Sequence, residues 1–122
     1  MLYTSINKAN DAKRANAVYN ISIGDEVSGS QLATIMGRAI NQNEKNKISK
    51  DPDGVYIENN TDSIKVQLKM VTIESTYNME AIYASGMTNF VANFSTVAFK
   101  CTDIQYHKNT GLISRITFEE QQ

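Results

Sequence analysis

The chain is poor in the residues that most often carry a recognisable function. Among its 122 residues there is one Cys, one His, one Pro and no Trp. One Cys cannot form an internal disulfide, and one Cys with one His cannot furnish a structural zinc site. Charge of one sign is missing as well. Twelve basic against 13 acidic residues give a formal net charge of −1, so the basic footprint of a nucleic-acid binder is absent. Neither a glycine-rich phosphate loop nor a dinucleotide fingerprint occurs. The start, Met1-Leu2-Tyr3-Thr4-Ser5, lacks the charged lead and apolar stretch of a secretory signal. Ala81 to Phe99 is the longest uncharged run, but Ser85, Gly86, Thr88, Asn89, Asn93, Ser95 and Thr96 interrupt it. It therefore reads as a core segment and not as a membrane span.

What is present suits one domain with a real core: 41% of the residues are hydrophobic. The charges are unevenly spread, with seven basic and four acidic residues in 1–50 against five and nine in 51–122. This reads as a solvated surface whose halves attract weakly. Residues 4–17 are polar and rich in helix formers, which predicts a solvent-facing helix or stalk ahead of a domain spanning 18–122. Val18 to Ile23 alternates and predicts a short strand. Leu32, Ile35, Met36, Ala39 and Ile40 form one helical stripe, which predicts a helix over 30–43 with Ser28 or Ser30 as N-cap.

Asp51-Pro52-Asp53-Gly54 is a tight-turn sequence, and its spacing does not match a calcium loop. Val55 to Glu58 reads as a strand. Ile64, Val66, Leu68 and Met70 alternate with Lys65, Gln67 and Lys69, the pattern of a strand with one buried and one wet face. The phase shift at Val71-Thr72-Ile73 marks a bulge or the end of that face. From Met79 to Phe94 the apolar residues fit a helical stripe throughout, but Glu74-Ser75-Thr76 resembles a hairpin turn. The reading adopted is a strand over 77–82 and a helix over 85–94 capped by Ser85. A three-residue loop at Asn109-Thr110-Gly111 pairs Ile104 with Ile116, Thr102 with Phe118 and Tyr106 with Ser114. That register buries the apolar set and leaves Cys101 and His107 on the polar face or near its rim. The fold class expected is α+β: an antiparallel sheet of five or six strands with the two helices on one face and a polar N-terminal helix.

Candidate chemistry is thin. Cys101 and His107 invite a nucleophile–base dyad, but six residues of strand separate them by about 20 Å. Asp103 and His107 are about 13 Å apart along the same strand. No catalytic residue, metal ligand or cofactor site is expected. Tyr56, Tyr77, Asp103, His107 and Arg115 are the candidates for a surface contact patch.

Three stretches, GSQLATIMGRAINQNEKN (29–46), MEAIYASGMTNFV (79–91) and FKCTDIQYHKNTG (99–111), together resemble a family of small uncharacterised proteins from clostridial bacteria. The resemblance covers about residues 18–119. It implies one N-terminal membrane span and a short outward-facing α+β domain, with no assigned catalytic or ligand-binding residues to carry over. This chain has no such span, so membrane attachment would come through a segment missing from its N-terminus. The function expected is a non-enzymatic cell-envelope domain that binds another protein or assembles. The alternatives are a soluble small-ligand binder and a pilin-like or pseudopilin-like assembly subunit. A protein partner is expected, and nucleic acid is not.

Overall fold

Ser28 opens the longest helix. Its hydroxyl accepts from the Gln31 amide at 3.1 Å while the Gln31 side chain accepts from the Ser28 amide at 2.8 Å. This reciprocal box satisfies two amides that the first turn would otherwise leave free. The computed structural model describes residues 11–122. Its elements are α1 (residues 11–17), β1 (Glu26–Ser28), α2 (Gly29–Lys45), β2 (Lys65–Met70), β3 (Ser75–Asn78), α3 (Met79–Ser85), α4 (Met87–Phe94), β4 (Ala98–Tyr106) and β5 (Ile113–Glu120). A single 3-10 turn, Val71–Ile73, links β2 to β3. The class is α+β, with a five-stranded sheet in the order β1-β4-β5-β2-β3.

The sheet is mixed where an antiparallel one was expected. β2 and β5 run parallel, while β1–β4, β4–β5 and β2–β3 are antiparallel. Alternation reports which face of a strand is buried but carries no information on its direction. Direction is set here by the connection: α3 and α4 carry the chain from the β3 edge past β2 and β5 to β4, and the β4–β5 hairpin returns β5 alongside β2. The two apolar stripes seen in the sequence meet in one core. Leu32, Met36 and Ala39 of α2 cluster with Val66 and Leu68 of β2 and with Ile116 and Phe118 of β5.

Several local expectations change. Val18 to Ile23 is not a strand. Asn20 adopts φ 47°, Tyr19 and Asn20 donate back to Asn16 and Ala17, and the strand forms later, at β1. Val55 to Glu58 contributes only an isolated bridge between Lys50 and Tyr56, across the Asp51–Gly54 turn. The helical stripe of 79–94 is real from its start. Met79 begins a helix capped by Asn78, and Gly86, at φ 104°, divides the stripe into α3 and α4, so Ser85 caps neither. The hairpin keeps the expected centre, Ile104 opposite Ile116 and Asp103 opposite Thr117. A bulge at Thr102 then sets Cys101 opposite Phe118, and a second shift sets Tyr106 opposite Ile113. One extra residue inverts the facing of all that precede it, so Cys101 lies in the core instead of on the polar face. Of the expected N-terminal helix, residues 4–10 lie outside the described residues. Residues 11–17 are tied to the hairpin tip by Asn16, which donates to the Gly111 carbonyl and accepts from the Ile113 amide, both at 2.9 Å.

Candidate functional site

The region 75–99 contains one charged residue, Glu80. Asn78 caps α3 and turns Glu80 inward, where its side chain is 5% exposed and its Oε2 lies 2.8 Å from Lys65 Nζ. The Tyr56 amide donates to the same oxygen at 3.0 Å, and Lys65 also donates to the Tyr56 carbonyl. An ion pair this deep holds its place only with such added hydrogen bonds. Its consequence is that β3, α3 and α4 present no charge to solvent.

What they present is apolar. A groove of about 300 Å³ runs between the β3 edge and the helix pair, lined by Met70, Ile73, Tyr77, Ile82, Phe90 and Phe94 among others. Ile73 is 56%, Tyr77 39% and Tyr83 58% exposed. Phe90 anchors the floor against Phe94 and Phe99, with ring centroids 5.1 and 6.1 Å away. The rim amides are used locally: Asn89 donates to the Ser85 carbonyl and Asn93 to the Asn89 carbonyl, each at 2.9 Å. The uncharged run 81–99 is a core segment on one side only: Phe90 and Phe99 lie in the core, and Ile82, Met87, Val91, Phe94 and Val97 pack against it half-buried. Only Phe90 and Phe99 in it are fully buried; α4 packs on α2 and α3, and α3 on β2 and β3, while the opposite side of the pair is open to solvent.

The five expected contact residues do not form one patch. Tyr77 lies in the groove. Tyr56 is 3% exposed and its hydroxyl donates to Glu44 Oε2 at 2.7 Å. Burial first, then that bond and the nearby carboxylates, raise its phenol above the ordinary value. His107 is 7% exposed, with Nε2 2.6 Å from the Ser63 carbonyl. A carbonyl only accepts, so Nε2 carries the proton. Neither side chain is available as a surface contact: Glu44 and Lys50 hold Tyr56 and the loop through Ser63 covers His107, long-range contacts that strand patterning does not contain. Arg115 pairs with Glu58, and Asp103 accepts from Gln105 at 3.0 Å.

His107 and Arg115 do line one polar cleft of about 410 Å³, beside Asn59 and Lys108. Four of its side chains tie the two walls together: Arg115 pairs with Glu58, His107 bonds the Ser63 carbonyl, and Asn109 donates to the Asn60 carbonyl at 3.4 Å. Asn59 Oδ1 accepts from the amides of Thr61, Asp62 and Ser63, and Thr110 donates to the Thr61 carbonyl at 2.6 Å. The cleft is the seam between the 58–63 loop and the hairpin tip. Cys101 is fully buried, and burial raises its thiol, against the opposing effect of its contact with the Asp103 carbonyl. It is thus unlike the exposed, electropositive sites that activate thiolates. Among the described residues no three of His, Cys, Asp and Glu converge as metal ligands, and no helix is long and apolar enough to cross a membrane.

The flank that sequence reasoning missed had a visible signal, the uncharged run beginning at Ala81. Length and composition alone could not separate a buried run from an exposed one. Comparison of this chain with known protein families, curated proteins and solved structures finds no match.

Proposed function

We propose that this chain is a non-enzymatic, protein-binding domain of the cell envelope that engages its partner through the uncharged flank formed by β3, α3 and α4. The observation that carries the reading is the removal of the region's one charge, Glu80, into a buried pair, beside an open apolar groove. Interface cores are depleted of charge and enriched in aromatic residues and Met, and a contiguous apolar patch on a small domain marks an interaction site. In this reading α2 and the α3–α4 pair pack on one apolar face of the sheet, and the groove is the part of that face they leave uncovered. The envelope location and a tether N-terminal to this chain rest on the family resemblance.

A photo-cross-linking amino acid placed at Tyr83 in the full-length gene product tests the binding role in cells. A protein adduct is expected from Tyr83 and not from the exposed control position Ile57. Absence of any adduct at Tyr83, or equal adducts at both positions, overturns the reading. Recovery of the same gene product in the soluble cytoplasmic fraction overturns the envelope location.

A further inference from the structure

We infer that the polar cleft between the 58–63 loop and the tip of the β4–β5 hairpin binds a neutral saccharide, a role separate from that of the apolar flank. The cleft holds about 410 Å³, inside the range of roughly 300–1,000 Å³ found for small-ligand sites. Its walls are already fixed in the free chain by the Arg115–Glu58 pair, the His107 bond to the Ser63 carbonyl and the Thr110 bond to the Thr61 carbonyl. A preformed site spares its ligand the cost of ordering loose side chains.

The lining selects the ligand. Tyr106, at the end of β4, lines the cleft and is 54% exposed. Such a ring offers a flat apolar face at small entropic cost. A pyranose has the matching parts, a face of C–H groups and a rim of hydroxyls. Each hydroxyl both donates and accepts, so it is met by side chains that set a donor beside an acceptor. Glu58 and Arg115 spend one oxygen and one nitrogen on each other, and the remaining carboxylate oxygen and N–H groups are left for two adjacent hydroxyls. Gln105 gives its Nε2 to Asp103 and keeps its carbonyl oxygen; Asn60 is held through its backbone carbonyl and keeps its side-chain amide. Charge argues against an anion. Of the two lysine and arginine side chains lining the cleft, Arg115 is neutralised by Glu58, which leaves Lys108 alone among the described residues. A phosphate would meet that one cation and a carboxylate. An apolar ligand would strip water from the amides and the ion pair and give them no partner. A neutral polyhydroxylated ring meets neither penalty.

The test is an NMR titration of the full 122-residue chain, isotope-labelled, with maltotriose, cellotriose and triacetylchitotriose, and separately with inorganic phosphate, each to about 10 mM. At least one sugar is expected to shift the amides of Gln105 to Asn109, Ser114 and Arg115 with a Kd of about 1 mM or tighter. Tyr106→Ala is expected to weaken that binding by at least about tenfold and Tyr106→Phe by no more than about twofold, because the ring supplies the apolar face. Tyr106 is exposed, so the spectrum of Y106A away from the cleft should be unchanged. No shift with any of the three sugars, shifts confined to other surfaces, or undiminished binding by Y106A overturns the inference. Phosphate that shifts the same amides more tightly than every sugar also overturns it and makes the cleft an anion site. Should Y106A lose its fold, the wild type decides: an intermolecular nuclear Overhauser effect between the Tyr106 ring and sugar C–H protons is expected, and its absence overturns the inference. The cross-linking result at Tyr83 has no bearing on any of these outcomes.

Discussion

Replacing Lys65 by Met leaves the Glu80 carboxylate buried beside the Tyr56 amide with no cation. Breaking a buried pair from one side costs about 3–5 kcal/mol, because the remaining charge has neither water nor partner. Urea unfolding of K65M is expected to show a loss of that size, and the double variant K65M/E80Q is expected to recover part of it, since the Gln carbonyl still accepts from Tyr56. A K65M loss below about 1 kcal/mol would mean that the pair is not what holds Glu80 inside. Lys65 was legible in sequence only as the wet side of an alternating strand. Its partner lies 15 positions away on a helix, and its second acceptor belongs to a loop. The same holds for His107, whose burial depends on the carbonyl of Ser63, 44 residues earlier. Alternation describes the two faces of a sheet, and a loop that folds over one of them is invisible to it.

At the scale of elements, α2 was legible almost to its boundaries. The stripe of Leu32, Ile35, Met36, Ala39 and Ile40 and the cap at Ser28 are local properties, fixed by spacing along one segment. Two of its glycines look equivalent in sequence and are not. A Cβ on Gly29 would lie 1.8 Å from the Phe94 carbonyl oxygen, while one on Gly37 meets nothing within 4 Å. G29A is expected to destabilise by about 1–3 kcal/mol or more, since backbone must move to admit the methyl group. G37A is expected to stabilise by about 0.5–1 kcal/mol through the smaller entropy loss of Ala in a helix. Thermal unfolding of the two variants should shift in opposite directions; a shift of the same sign in both would contradict the close approach of α2 to α4. The 79–94 stripe shows the converse limit. Its helical period was legible, but the division at Gly86 was not, because a single glycine in a stripe is compatible with a continuous helix.

For the whole molecule, stability is expected to fall in alkali before any arginine titrates. The buried Tyr19 phenol is pushed up to about 12, by burial chiefly, with Arg38 acting in the opposite sense. The unfolded chain releases this proton near 10 and the folded chain holds it longer, so the contribution is fully present below pH 10 and is lost between about 10 and 12. Tyr56 is raised as well and adds to the same fall. Chemical unfolding followed from pH 8 to 12 should show a loss that Y19F reduces; an identical pH dependence in Y19F would remove Tyr19 from the account. What the sequence by itself determined is the α+β class, the α2 stripe, the strand 65–70 and the centre of the β4–β5 register. Each follows from periodicity within one segment or across one short turn. Tertiary structure alone decided the parallel β2–β5 pair, the burial of Cys101 through a one-residue bulge, and the exposure of an uncharged flank. Strand direction, bulge position and the absence of a covering layer all depend on contacts between distant segments, and local spacing carries no record of them.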